Sequence, residues 1–334
     1  MVVVAVIYVV RGGPDAKPLP GQELRTVAKQ RGIELGTAVR GDVLKRNRAY
    51  RQVVARQFST VTPENEMKWS AVEPARGKYD FAAGDDIAAR AREARQKVRG
   101  HTLVWHAQLP EWVKQLGPEN LRQAMREHIR NVMAHYDKDV GVWDVVNEPI
   151  SDDGGLRQSV FGRRLGENFI EDAFRTARVA DKDAKLYLNE IGAEGMNAKS
   201  NRLYEVVRGL KARGVPIDGV SFQTHANLGG LAPDFVANMQ RFKALGLDVA
   251  ITEADVALKL PPSAADLRAQ ADIYAQIVRA CRTVRCASLT FWGFTDGRSW
   301  ISETQAGMGA ATLLDAKLQP KPAFGAVQQA LAAR

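Results

Sequence analysis

The sequence predicts a single-domain α/β fold of the (β/α)8 TIM-barrel type, and three observations lead there. Short runs rich in Val, Ile, Leu and aromatic residues recur eight times. Stretches with helical spacing lie between them. No Pro/Ser/Gly-rich linker or low-complexity block breaks the alternation. Alternating strand and helix implies a parallel sheet, and eight units allow it to close on itself. A chain of 334 residues has room for two ordinary domains or for one such barrel, and the uninterrupted pattern selects the barrel.

In chain order, strands are expected at 33–39, 58–62, 98–105, 140–147, 185–189, 220–225, 249–253 and 287–294, each a short apolar run bounded by polar or turn-forming residues. Helical spacing appears at 81–96, 119–135, 169–179, 200–213, 234–245 and 264–280. The long segments 107–117 and 150–166, after the third and fourth strands, are expected to wall a cleft, because barrel function is built on the loops at that end. The barrel is assigned to residues 21–334, preceded by an apolar segment and linker at 1–20. Residues 1–10 are too few to span a bilayer and lack the basic flank of a secretory signal, so a truncated or misassigned start and a real signal both stay open.

Two strand ends carry the chemistry. Val142, Val145 and Val146 favour a strand that Pro149 must end, which leaves Glu148 at its carboxyl end. The run 247–252 likewise meets Glu253. Either acid alone could be a surface glutamate at a strand end. As a pair they are what glycoside hydrolysis needs: one carboxyl protonates the leaving oxygen, and the other attacks the anomeric carbon or activates water.

Six motifs occur in order: Thr-Pro-Glu-Asn-Glu-Met-Lys-Trp (62–69), Arg-Gly-His-Thr-Leu-Val-Trp-His (99–106), Trp-Asp-Val-Val-Asn-Glu-Pro (143–149), Gln-Thr-His (223–225), Thr-Glu (252–253) and Phe-Trp-Gly-Phe-Thr-Asp (291–296). Over residues 22–333 the chain resembles glycoside hydrolase family 10, the retaining endo-β-1,4-xylanases. The resemblance implies Glu148 as acid/base and Glu253 as nucleophile, with the carboxyls roughly 5–5.5 Å apart. It also implies that Asn147 holds the sugar's 2-hydroxyl and that His225, backed by Asp255, keeps Glu253 ionised, with Gln223 within reach of Glu253. Glu64, Asn65 and Lys68, with His101, Trp105 and Gln108, fall to the glycone subsites, and Trp292 and Trp300 offer flat faces to the sugar. For Lys68 a salt bridge with Glu64 or Glu66 competes with sugar binding, and Trp69 and Trp143 are equally suited to the core.

Three positions depart from the family pattern. Asn189-Glu190-Ile191-Gly192 stands where Asn-Asp-Tyr-Asn is expected, which removes an aromatic platform on the leaving-group side. Ala254 and Phe161 replace the usual Leu and Trp, and both read as repacking. Cys281 and Cys286, the two cysteines, match a bridge common in the family except that their spacing is one residue short, so a bridge and two buried thiols both stay open.

The formal charge of +9 invites a nucleic-acid reading, but basic residues alternate with acidic ones on helices and form no aromatic-interleaved tract. A solvated surface is the expectation, and the charge is compatible with an acidic, uronate-decorated xylan. Two Cys and five scattered His give no metal-ligand spacing, and no cofactor is called for. The partner expected is xylan or a xylo-oligosaccharide acted on by a monomer, with no nucleic acid or membrane, and the address expected is secreted or periplasmic. Two rivals are kept. One is a retaining glycanase acting on a glucose-based chain, and the other is a carbohydrate-binding barrel without catalysis, which the intact Glu148, Glu253, His225 and Asn147 disfavour.

Overall fold

The computed structural model describes residues 19–333, so the apolar run at 1–10 lies outside the described residues. Eight strands form a closed barrel: β1 (Glu34–Val39), β2 (Thr60–Pro63), β3 (Lys97–Trp105), β4 (Val140–Asn147), β5 (Lys185–Glu190), β6 (Gly219–Phe222), β7 (Asp248–Lys259) and β8 (Ser288–Phe291). Each pairs in parallel with its sequence neighbour, and β8 returns to β1 through pairs such as Glu34 with Ser288. Close pairing dictates small residues in places. A Cβ on Gly100 of β3 would lie 2.2 Å from the Trp143 ring on β4, so only glycine fits there.

A helix follows every strand. Arg48–Gln57, Ala82–Glu93, Pro118–His135, Asn168–Ala180, Ala198–Ala212, Phe235–Lys243, Ala264–Val284 and Pro322–Ala332 form the outer layer. Their inward stripes explain the packing. In Asn168–Ala180 the buried residues are Phe169, Ile170, Ala173, Phe174, Thr176 and Ala177, a spacing that puts one face on the sheet. Each fully buried Phe or Leu of this kind contributes about 1.5–3 kcal/mol. Ser263 and Asp266 start the longest helix with a reciprocal capping box. That helix ends at Arg285, whose left-handed backbone (φ 51°) turns the chain so that Cys286 N–H donates to the Cys281 carbonyl at 2.9 Å. The two cysteines are bridged, with Cα atoms 5.0 Å apart.

Several expectations need correcting. The expected strand 220–225 breaks after Phe222, where Thr224 is left-handed (φ 65°), and His225–Asn227 forms a separate short strand alongside β7. β7 runs to Lys259, well past the expected 253, and its outer half also pairs with Met308–Gly309. Of segments 107–117 and 150–166, expected to wall the cleft, only Gln108 lines it. The first folds into Glu111–Gln115, and Trp112 Nε1 donates to the Glu73 carbonyl (3.3 Å); the second closes on itself, with Arg157 donating to the carbonyls of Glu148 (2.8 Å) and Ile150 (3.0 Å).

Candidate active site

At the carboxyl ends of the strands lies a cleft of about 330 Å³. It is lined by Glu64, Asn65 and Lys68 after β2, by His101, Trp105 and Gln108 from β3 and its loop, by Asn147 and Glu148 at the end of β4, and by Ile191 after β5. Gln223, His225, Glu253, Trp292, Trp300, Glu303 and Thr304 complete it. Every residue singled out from sequence as touching substrate therefore lines one groove. Asp255 stands behind it, fully buried.

The two carboxylates differ in surroundings. Glu253 is buried on β7, two residues from Asp255, so the strand's period of two puts both on one side, where His225 lies between them. Its Nε2 is 3.3 Å from Glu253 Oε2 and its Nδ1 is 3.0 Å from Asp255 Oδ1. Burial alone would lower the imidazole, but the Asp255 charge, helped by Glu253, lifts it to about 10, so it carries a proton throughout the neutral range. Burial would conversely raise Glu253, yet the His225 hydrogen bond, the neighbouring imidazole charges and Asn189 hold it below the usual carboxylate range. Trp300 Nε1 donates to the other Asp255 oxygen at 2.7 Å.

Glu148 sits at a left-handed corner (φ 54°), conspicuous for a non-glycine residue. Its backbone N–H donates to the Asn189 carbonyl at 2.9 Å. Its Oε1 accepts from Gln223 Nε2 (3.0 Å) and Asn147 Nδ2 (3.4 Å), while His106 Nδ1 lies 3.8 Å from Oε2. Gln223 does meet Glu253, but through the backbone, its carbonyl accepting from Glu253 N–H (3.0 Å); its side-chain amide donates to Glu148, and the amide on Glu253 Oε1 is that of Asn189, at 2.7 Å. Asn189 also donates to Asn147 Oδ1 (2.9 Å) and accepts from Thr252 Oγ1 (2.7 Å), so Asn147, Asn189 and Gln223 form an amide layer joining the two acids.

At the far end of the cleft Lys68 Nζ donates to Gln108 Oε1 (2.7 Å) and Asn65 Oδ1 (3.2 Å) and lies 4.7 Å over the Trp105 ring. Lys68 is thus held by two neutral acceptors and not by the salt bridge with Glu64 or Glu66 held open above. Burial pushes Glu64 up to about 7, with Arg40 and Lys68 partly offsetting it, so it can donate as well as accept near neutrality. Trp69 and Trp143 are core residues; Trp69 stacks on His128 with centroids 4.0 Å apart. Asn189 and His106 were missed from sequence. The signal for Asn189 was available, since it lies near the end of a strand beside the Glu148 strand.

An open groove with two carboxylates on its floor, amides between them, and polar side chains and indoles along its walls is the construction of a glycoside hydrolase built on a (β/α)8 barrel. Residues 23–330 match the model of glycosyl hydrolase family 10. An endo-1,4-beta-xylanase of Agaricus bisporus is 42% identical over 80% of this chain and 81% of its own length. The crystal structure of native xylanase 10B from Thermotoga maritima superposes with a TM-score of 0.90 at 40% identity, covering 92% of this chain and 98% of that one. The xylanase 10B of Thermotoga petrophila, solved in complex with xylobiose, gives 0.91 at 39% identity, covering 94% and 98%. The chain belongs to glycosyl hydrolase family 10.

Proposed function

We infer that this chain is an endo-1,4-β-xylanase that hydrolyses internal β-1,4 bonds of xylan with retention, by double displacement. Glu253 attacks the anomeric carbon while Glu148 protonates the leaving oxygen, and Glu148 then activates the water that releases the glycosyl-enzyme. The observation that carries the assignment is the asymmetry of the two acids. Glu253 is buried against a protonated His225 and an amide donor, which suits a group that must stay ionised and aimed. Glu148 is more open and meets amides and a imidazole side chain, which suits a group that gives and takes a proton.

Trp292 and Trp300 crowd the side of the sugar where glucose carries a hydroxymethyl and xylose only hydrogen. Activity on xylan should therefore exceed that on carboxymethylcellulose by roughly ten- to a few hundred-fold, the range a shaped pocket achieves against one added group. A reducing-sugar assay on both polymers checks this, and proton NMR of fresh products should show the β-anomer first. Equal rates would favour the glucan reading, and an α-product would remove the retaining mechanism.

Ile191 occupies the cleft edge next to Gly192, where a second hollow of about 420 Å³ begins, lined by Glu194, Met196, Thr224 and Leu231 among others. We assign this direction to the leaving chain. Without an aromatic platform, stacking worth about 0.5–1.5 kcal/mol is absent. Ile191→Tyr should lower KM for long xylo-oligosaccharides several-fold and leave aryl xylobiosides, which have no leaving chain, nearly unchanged; an equal effect on both would refute the assignment.

A secreted or periplasmic address is supported by the Cys281–Cys286 bridge, since disulfides persist in oxidising compartments. It is also supported by the size of the polymer substrate. Among the described residues no helix is long and apolar enough to cross a membrane.

A further inference from the structure

Behind the cleft floor lies a buried pair that the proposed chemistry does not use. Glu190 ends β5 with no exposure, and Lys199, in the first turn of helix Ala198–Ala212, is 2% exposed. Lys199 Nζ is 3.3 Å from Glu190 Oε1 and 2.9 Å from the outward-lying Asp152. A cation in a helix's first turn opposes the macrodipole, so helix formation does not explain this lysine, whereas the carboxylate does. Glu190 spends its oxygens on backbone: Oε2 accepts from Ile150 N–H and Oε1 from Ile191 N–H, both at 3.1 Å. Ile150 lies two residues beyond Glu148, on the corner that holds Glu148 left-handed. Arg157 fastens the carbonyls of that corner, and Glu190 fastens its amide.

We propose that Glu190, held beside Lys199, is the positioning residue for Glu148, fastening the strained corner so that the acid/base points at the glycosidic oxygen. This rests on the assignment of Glu148 above. Glu190 itself touches no substrate. Burial pushes its carboxyl up to about 8 against the pull of Lys199, and Glu148 raises it further, so the two acids also sense one another. The other charged or titratable groups facing Glu148 are His106, Glu253, Lys68 and Arg157.

The test is a series of aryl xylobiosides with leaving groups from phenol to dinitrophenol, on wild type, Glu148→Ala, Glu190→Gln and Lys199→Met. An amide at 190 cannot accept both backbone N–H groups and leaves Lys199 unbalanced. Misplacing the acid by about 1 Å costs on the order of 10²-fold. Glu190→Gln should therefore lose about 10- to 100-fold on phenyl xylobioside and xylan while keeping dinitrophenyl cleavage within about three-fold. The basic limb of kcat/KM should move to lower pH in Glu190→Gln, where Lys199 keeps only the exposed Asp152 as a partner, and should not move that way in Lys199→Met, where the cation is removed. Equal losses across all leaving groups, or limbs that shift alike in both variants, would overturn the proposal and leave a structural ion pair. If Glu190→Gln does not fold, Lys199→Met carries the same comparison. A Glu148→Ala profile that is itself flat across leaving groups would instead remove the acid assignment on which the inference stands.

Discussion

Glu253→Ala should abolish turnover on xylan and on dinitrophenyl xylobioside alike, by on the order of 10⁶-fold, the scale seen when a covalent nucleophile is deleted. No leaving group is good enough to rescue a missing nucleophile. Glu148→Ala should behave differently. Xylan, whose leaving alcohol needs a proton, should lose about 10²- to 10⁴-fold, while the dinitrophenolate leaves unaided and the glycosyl-enzyme still forms. Added azide separates the two roles by stereochemistry. In Glu148→Ala it replaces the base-activated water and gives a β-glycosyl azide; in Glu253→Ala it enters from the opposite face and gives the α-azide. Products with these configurations exchanged would reverse the assignment of the two glutamates.

The second large effect lies inside the barrel, under the cleft. Asp144 on β4 is fully buried and accepts from Arg99 Nε (3.1 Å) and Nη2 (2.5 Å), and its Oδ2 lies 3.1 Å from His101 Nδ1. Arg99 also donates to Ser221 (3.1 Å) and lies 4.7 Å over the Tyr187 ring. Burial alone would raise Asp144, but the Arg99 charge and the His101 hydrogen bond outweigh it and hold the carboxyl below its usual range. Asp144→Ala strands a guanidinium in the interior, which destabilises by about 3–5 kcal/mol. At roughly 2 °C per kcal/mol for a domain this large, the thermal midpoint should fall about 6–10 °C. Arg99→Met combined with Asp144→Leu should recover most of that. In the wild type, stability from this depressed carboxyl is complete above about pH 4 and is lost as pH falls through its folded value, whereas the double variant lacks that dependence. Thermal unfolding at pH 7 and pH 3 checks both statements; a single variant as stable as the parent would show the pair to be idle.

The regular parts of the fold were readable because apolar period and strand ends are local properties. β4 was expected at 140–147 and is found at Val140–Asn147, where Val140, Val142, Trp143, Val145 and Val146 dominate the run that Pro149 ends. Helix Arg48–Gln57 was missed because its apolar face, Tyr50, Val53 and Val54, is diluted by three arginines; Pro322–Ala332 had a usable signal in Pro at its first position. Other features could not be read locally. A left-handed Thr224 is disfavoured by its own branched side chain and is imposed by β7 capturing the following residues. Which carboxylate receives Gln223 depends on two strand ends that are 75 residues apart in sequence, a relation no neighbouring residue encodes. The cysteine bridge turned on one left-handed arginine, Arg285, which shortens the path between helix and strand.

The extension of β7 to Lys259 has a consequence for how this site can vary. Glu253 and Asp255 are fixed to each other by pleat geometry, and His225 is fixed to them by backbone pairing of its own short strand, His225 against Asp255. The charge balance around the attacking group is therefore hard-wired in main-chain hydrogen bonds. The surfaces proposed to choose a chain, Gln108 and Ile191 among them, hang on separate segments. Substitutions that retune which polymer is accepted can accumulate there without renegotiating the electrostatics of bond cleavage, so mutational tolerance should divide sharply between the two sides of Glu253.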